Sequence, residues 1–139
     1  MPVTKEFLTQ VFDAEELVTS SKLLALSTLS DTETQAFRTS WEEAPGLARR
    51  KLLDRLIDIA QDNVEADFDA IFRLALEDGD PAIRERAIEA LWECQDRWFL
   101  NRLVEMVETD AAQDVRATAA SALCKFVLLG VIEELRPSL

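Results

Sequence analysis

Apolar side chains recur at helical spacing along most of the chain. Phe7, Leu8, Val11 and Phe12 mark a weakly patterned lead-in helix over 4–18. Leu23, Leu24, Leu26 and Leu29 mark a short apolar helix over 20–29. Ser30 and Glu33 have the spacing of a capping box and predict a helix to about Glu43, with Phe37 and Trp41 inward. Pro45-Gly46 breaks it. Residues 47–62 predict an amphipathic helix: Leu52, Leu53, Leu56, Ile57 and Ala60 face inward, and Arg49, Arg50, Lys51, Arg55 and the acids face outward.

From residue 66 the pattern becomes periodic. A helix is predicted over 66–77, carrying Phe68, Ile71, Phe72, Leu74 and Ala75. In the turn that follows, Asp80 can cap and Pro81 can take the first helical position, where its missing N–H does no harm. A second helix is predicted over 82–94, and the pair recurs as helices over 97–109 and 114–129. Asp78, Ile83, Arg84, Ala87, Ala90 and Leu91 return 32 residues later as Asp110, Val115, Arg116, Ala119, Ala122 and Leu123. A fixed period of this kind marks a helical array, in which each unit buries its apolar face only by stacking on the next. A degenerate earlier unit fits 31–62.

Composition agrees. With 139 residues, 48% hydrophobic, 3 Gly, 4 Pro and no Tyr, the chain reads as one all-α domain. Its expected layout is an irregular helical cap over 1–46 and repeats over 47–139. The net charge of −12 is spread along the sequence, with no net-positive segment. That opposes a nucleic-acid groove and association with anionic lipid. The longest apolar run, Phe126 to Ile132, has seven residues, too few for a membrane span. Cys94 and Cys124 lie in apolar stretches without metal-like spacing, which predicts buried, reduced thiols and a cytoplasmic protein.

The two periodic stretches resemble HEAT or HEAT-like repeats, including the bilin-lyase type, best over 66–129. In that family the second helix commonly opens with a β-branched residue followed by Arg, and an Asp six residues earlier lies in the turn. Ile83-Arg84 with Asp78, and Val115-Arg116 with Asp110, fit this pattern. A carboxylate there can accept unpaired turn amides. A guanidinium one turn into the next helix can bridge that carboxylate or the neighbouring unit's. The resemblance implies a right-handed α-α superhelix, a HEAT-like solenoid, with first helices convex and second helices concave.

Candidate chemistry is sparse. There is no histidine, so the His-Glu di-iron site of one HEAT-like branch, His-ligated zinc and Ser-His triads lack their atoms. The acids Glu77-Asp78-Asp80 and Asp62-Glu65-Asp67-Asp69 do not match a calcium loop and read as caps and turns. The run Arg49-Arg50-Lys51 with Arg55 shares its helix with Asp54 and Asp58 and reads as a solvated, ion-paired face. On a helix continued through residue 94, Trp92 lies about 180° from Ile83, at about 100° per residue. That position favours packing beside Ala120 and Cys124, against its alternative as an anchor on the concave face.

The resemblance implies a non-catalytic scaffold or adaptor binding a protein partner along its concave face, and no cofactor or metal is expected. The residues expected to contact that partner are Glu85, Glu89, Trp92, Glu93, Ser121 and Lys125. An enzyme or enzyme subunit of the bilin-lyase or DNA-glycosylase kind is the alternative, opposed by the absence of histidine and by the charge. The apolar Phe126–Leu129 and the segment after Gly130, read as the start of another helix, suggest a sticky end. Either the chain forms a homodimer through it or it is the N-terminal piece of a longer repeat protein.

Overall fold

The computed structural model describes residues 3–13 and 18–135, with side chains as far as Leu128. Among the described residues there are helices and no strands. The first helix, α1 (Lys5–Val11), starts where Thr4 Oγ1 accepts the Phe7 amide. It is shorter than the lead-in helix expected over 4–18, and residues 14–17 of that expectation lie outside the described residues. Next comes α2 (Ser20–Leu23), which tightens into a 3₁₀ turn over Leu24–Thr28 instead of continuing as one α-helix. The leucine spacing explains this. Leu23, Leu26 and Leu29 are three residues apart and share one face only at three residues per turn, and Leu23 and Leu26 are buried.

In α3 (Asp31–Glu43) the capping box forms in full. Glu33 accepts the Ser30 amide at 3.0 Å and also the Val3 amide at 2.6 Å, tying the N-terminal segment down. Those backbone bonds hold the Glu33 carboxyl below its usual range. After Ala44-Pro45, α4 (Gly46–Asp62) buries Leu52, Leu53, Leu56 and Ile57. The next helix, α5 (Asp69–Ala75), starts later than expected, because Asp67 Oδ1 accepts the Asp69 amide at 3.0 Å and holds a side-chain turn first.

Asp80 caps α6 (Pro81–Ala90) through the Ala82 amide, with Pro81 at its first position. This helix stops at Ala90, not 94. Its partner α7 (Arg97–Thr109) has the expected length. The last helix, α8 (Gln113–Leu135), is longer than expected and runs through Gly130 without a break. The segment read as a separate helix is therefore its last part. One glycine costs a helix interior about 1 kcal/mol, which is a weakening and not a stop.

The helices α4, α6 and α8 pack in succession, α6 against α4 and α8, with α5 beside α6 and α7 beside α8. Ile83, Ala87, Val115 and Ala119 are fully buried at these contacts. The small alanines let the helix axes approach closely. The N-terminal end is closed by Phe12, whose ring lies 5.5 Å from Phe37 and 6.1 Å from Trp41.

The turns are joined by an arginine ladder. Arg49, Arg84 and Arg116 are each the fourth residue of α4, α6 and α8. Each donates Nη1 to a main-chain carbonyl of the turn before it: Ala44, Asp78 and Asp110 respectively. The opposite edge of Arg84 reaches forward to the next unit, and Nε and Nη2 each lie 2.9 Å from an Asp110 oxygen. Arg49 lies correspondingly against Asp78, with Nη2 3.3 Å from Oδ1 and Nε 3.0 Å from Oδ2. The Asp78 carboxylate, buried, also accepts Trp41 Nε1 at 2.7 Å and the Asp80 amide at 2.8 Å. The carboxylate bridges thus run between units, while only a carbonyl bond is made within each.

This arrangement revises the reading of Arg49 as a solvated residue. Its side chain is mostly buried and forms the first rung. The neighbouring Arg50 is exposed and lies 3.4 Å from Asp80.

Candidate functional site

The second helices carry a strip of polar cross-links between neighbouring units. Arg86 of α6 reaches Asp54 of α4 at 2.8 Å and Glu89 on its own helix at 2.7 Å. Thr118 of α8 donates to Glu85 at 3.1 Å. One turn further along α8 is the exposed Ser121, and one turn beyond that the Lys125 ammonium lies over the Trp92 ring, 4.7 Å from its centre. Lys125 also donates to the Trp92 carbonyl. Each link between units joins residues 32 or 33 apart, about the repeat length.

Trp92 does not pack beside Ala120 and Cys124. The helical angle that placed it there assumed a helix through 94, but α6 ends at Ala90 and residues 91–93 form a turn. The ring swings outward and is 57% exposed, with Lys125 as a cation–π partner. Cys124 is also exposed, contrary to expectation, and Cys94 is half-buried. Burial pushes the Cys94 thiol up, which disfavours the thiolate.

Trp92 and Glu93 stand at the mouth of a cleft of about 690 Å³ between the C-terminal ends of α4 and α6. Phe68 and Phe72 contribute buried rings to it, Val64 is fully exposed beside it, and Asp67 and Asp69 add charge. Burial, followed by the repulsion of Asp67 and Asp96, raises the Asp69 pKa above the ordinary value. The local field is negative, so the cleft favours a partner that brings cations with an apolar side chain.

The six residues singled out in the sequence thus fall into two groups. Trp92 and Glu93 line the cleft, with Lys125 over the Trp92 ring. Glu85, Glu89 and Ser121 lie along the adjoining strip, with Glu85 half-buried under Thr118 and Glu89 held by Arg86. Sequence reasoning missed Thr118, Arg86 and the cleft itself. The 32-residue spacing of Asp54 and Arg86 was the available signal.

The acid clusters have local duties. Glu77 pairs with Arg102 at 2.6 Å, Asp80 caps α6, and Asn63 and Asp67 close turns. Among the described residues no group of three or more His, Cys, Asp or Glu side chains is placed to hold a metal ion. Nor is any helix among them long and apolar enough to cross a membrane.

Comparison with curated proteins and with solved structures gives no match. The family model described as HEAT repeats matches residues 25–124, which include α3 to α7 and the first half of α8. Stacked helical hairpins, recurring turn acids with arginines, and a match over most of the chain agree: this protein belongs to the HEAT-repeat family.

Proposed function

We propose that this protein is a non-catalytic interaction module that grips a protein partner along the second-helix strip and the adjoining cleft. HEAT repeats commonly mediate protein–protein interaction. The observation that carries the finer reading is Trp92: a large aromatic ring, 57% exposed, at the mouth of a preformed cleft. Exposed aromatics of this kind are the usual anchors of binding energy. Glu93, Asp67 and Asp69 in the cleft wall, with Glu89 on the adjoining strip, suit a partner segment bearing lysine or arginine beside an apolar side chain.

Affinity capture from native lysate tests the reading. Trp92→Ala is expected to weaken affinity for the specific partner at least about thirtyfold, the lower bound for an anchor residue, and to cut its recovery accordingly. Glu89→Lys is expected to weaken it and to reduce its salt dependence. Unchanged recovery of every captured protein in both variants would refute a site on this face.

A further inference from the structure

The arginine ladder has three arginines and two acids. At the N-terminal end Ala44 stands where Asp78 and Asp110 stand in later units: its carbonyl accepts Arg49 as theirs accept Arg84 and Arg116. No arginine precedes it in the ladder, and the Phe12–Phe37–Trp41 cluster closes that end. The other end is different. Arg116 makes the same carbonyl bond as Arg84, at 2.7 Å to Asp110. The Nε/Nη2 edge that Arg84 sets against Asp110 meets no carboxylate from Arg116 among the described residues. Asp110 itself is already held by Arg84, with only 6% of its side chain exposed.

The helix bearing Arg116 gives independent support. A terminal helix that faces water should gather its polar residues outward. In α8 the polar Asp114, Thr118, Ser121 and Lys125 share the side that lines the second-helix strip, while the side opposite the buried Val115 and Ala119 carries the exposed Ala117, Cys124 and Leu128. Val127 and Leu128 are more than half exposed, and Val104 of α7 is also exposed. An apolar side left exposed opposite the core is a surface that a partner can cover.

We infer that the α7–α8 end is a second docking surface, which receives a helical hairpin of a partner protein whose turn supplies an aspartate to Arg116. A second copy of this chain fits poorly. Stacked head to tail it presents Ala44 and the closed aromatic end, with no acid at the required place. Stacked end to end about a two-fold axis it presents the same surface, whose turn acid Asp110 is already held by Arg84.

The test joins a surrogate hairpin to the intact protein. Residues 97–128, the hairpin whose aspartate is seen seated on such an arginine, are appended after Leu139 through a flexible Gly-Ser linker. The linker raises the effective concentration enough to report weak docking. The readout is the thermal midpoint of the fused protein minus that of the unfused protein. Docking should raise it by at least about 3 °C. That gain should vanish in the pair carrying Arg116→Gln, and when the appended hairpin's own aspartate is changed to Asn. No gain, or a gain that survives both substitutions, would overturn the inference. So would sedimentation of the unfused protein as a dimer that Val127→Glu dissociates, since a copy would then occupy the end.

Discussion

Replacing Arg84 with Met keeps most of the stem volume and removes three hydrogen bonds: two to Asp110 and one to the Asp78 carbonyl. The side chains of the pair are 13% and 6% exposed, so the carboxylate left behind is largely shielded from water. Breaking such a pair from one side costs about 3–5 kcal/mol. The lower figure applies here, because Asp110 keeps the Ala112 amide at 2.9 Å. A loss of about 3 kcal/mol is a large share of the 5–15 kcal/mol that holds a typical domain. Arg86→Met supplies the control. Arg86 and Asp54 are 41% and 54% exposed, and a pair so placed is worth less than about 1 kcal/mol. Urea unfolding followed by tryptophan fluorescence should show a much larger midpoint shift for Arg84→Met at unchanged slope.

Acid sharpens the test. Burial pushes the Asp110 pKa up, but the Arg84 bonds, the Ala112 amide and the charges of Arg84 and Arg102 outweigh it, and the result is lowered. A lowered folded-state pKa adds stability that is complete above the ordinary carboxylate value and lost as pH falls through the folded value. Arg84→Met removes most of that contribution. The gap between wild type and variant should therefore be widest at neutral pH and should narrow below about pH 4. Equal costs for Arg84→Met and Arg86→Met, or a gap that stays constant into acid, would refute the ladder as a structural device.

Two further outcomes follow from the caps and the cleft. Ser30→Ala removes the hydroxyl that accepts the Glu33 amide and should cost about 1 kcal/mol by urea unfolding, with no loss among the contacts of α6 and α8. Asp69→Asn should stabilise the protein at neutral pH. Its raised folded-state pKa means that the folded state holds the proton more tightly, so wild-type stability falls as pH rises from the ordinary carboxylate value through the folded value. The Asn variant should lack that decline, as followed by thermal midpoints across the acid range.

The repeat was legible because its signals are local and periodic. Asp78 and Asp110, the second-helix arginines and the buried alanines recur at fixed spacing, and the capping box at Ser30 is a short-range rule. What escaped reading depended on where helices end. Trp92 was placed by a helical angle beyond Ala90, the true last residue of α6. The late start of α5 rests on one carboxylate bond from Asp67 to a backbone amide, which competes with helix extension on nearly equal terms. Arg49 was missed for a different reason. It lies 35 residues before Arg84, where the next interval is 32, because α4 is 7 residues longer than α6 and the turn after α5 is 2 longer than that after α7, while α5 is 6 shorter than α7. A search at one fixed period passes over it, although its place as fourth residue of the helix is the same.

The direction of the ladder links stability to binding. If each arginine bridged only its own turn, every hairpin would be a separate unit and neighbours could slide. Instead Arg49 and Arg84 each spend one edge on their own turn and the other on the next, so no hairpin is fully satisfied without its successor. The links Asp54–Arg86, Glu85–Thr118 and Trp92–Lys125 repeat that logic on the second-helix face. With both sides cross-tied, the relative positions of α4, α6 and α8 are set before any partner arrives. A binding strip fixed in this way loses little freedom on association, so more of the contact energy at Trp92 and the acidic rim appears as affinity. The same physics makes the α7–α8 end receptive: a turn that continues the ladder would find one half of its ion pair already held in place by Asp110.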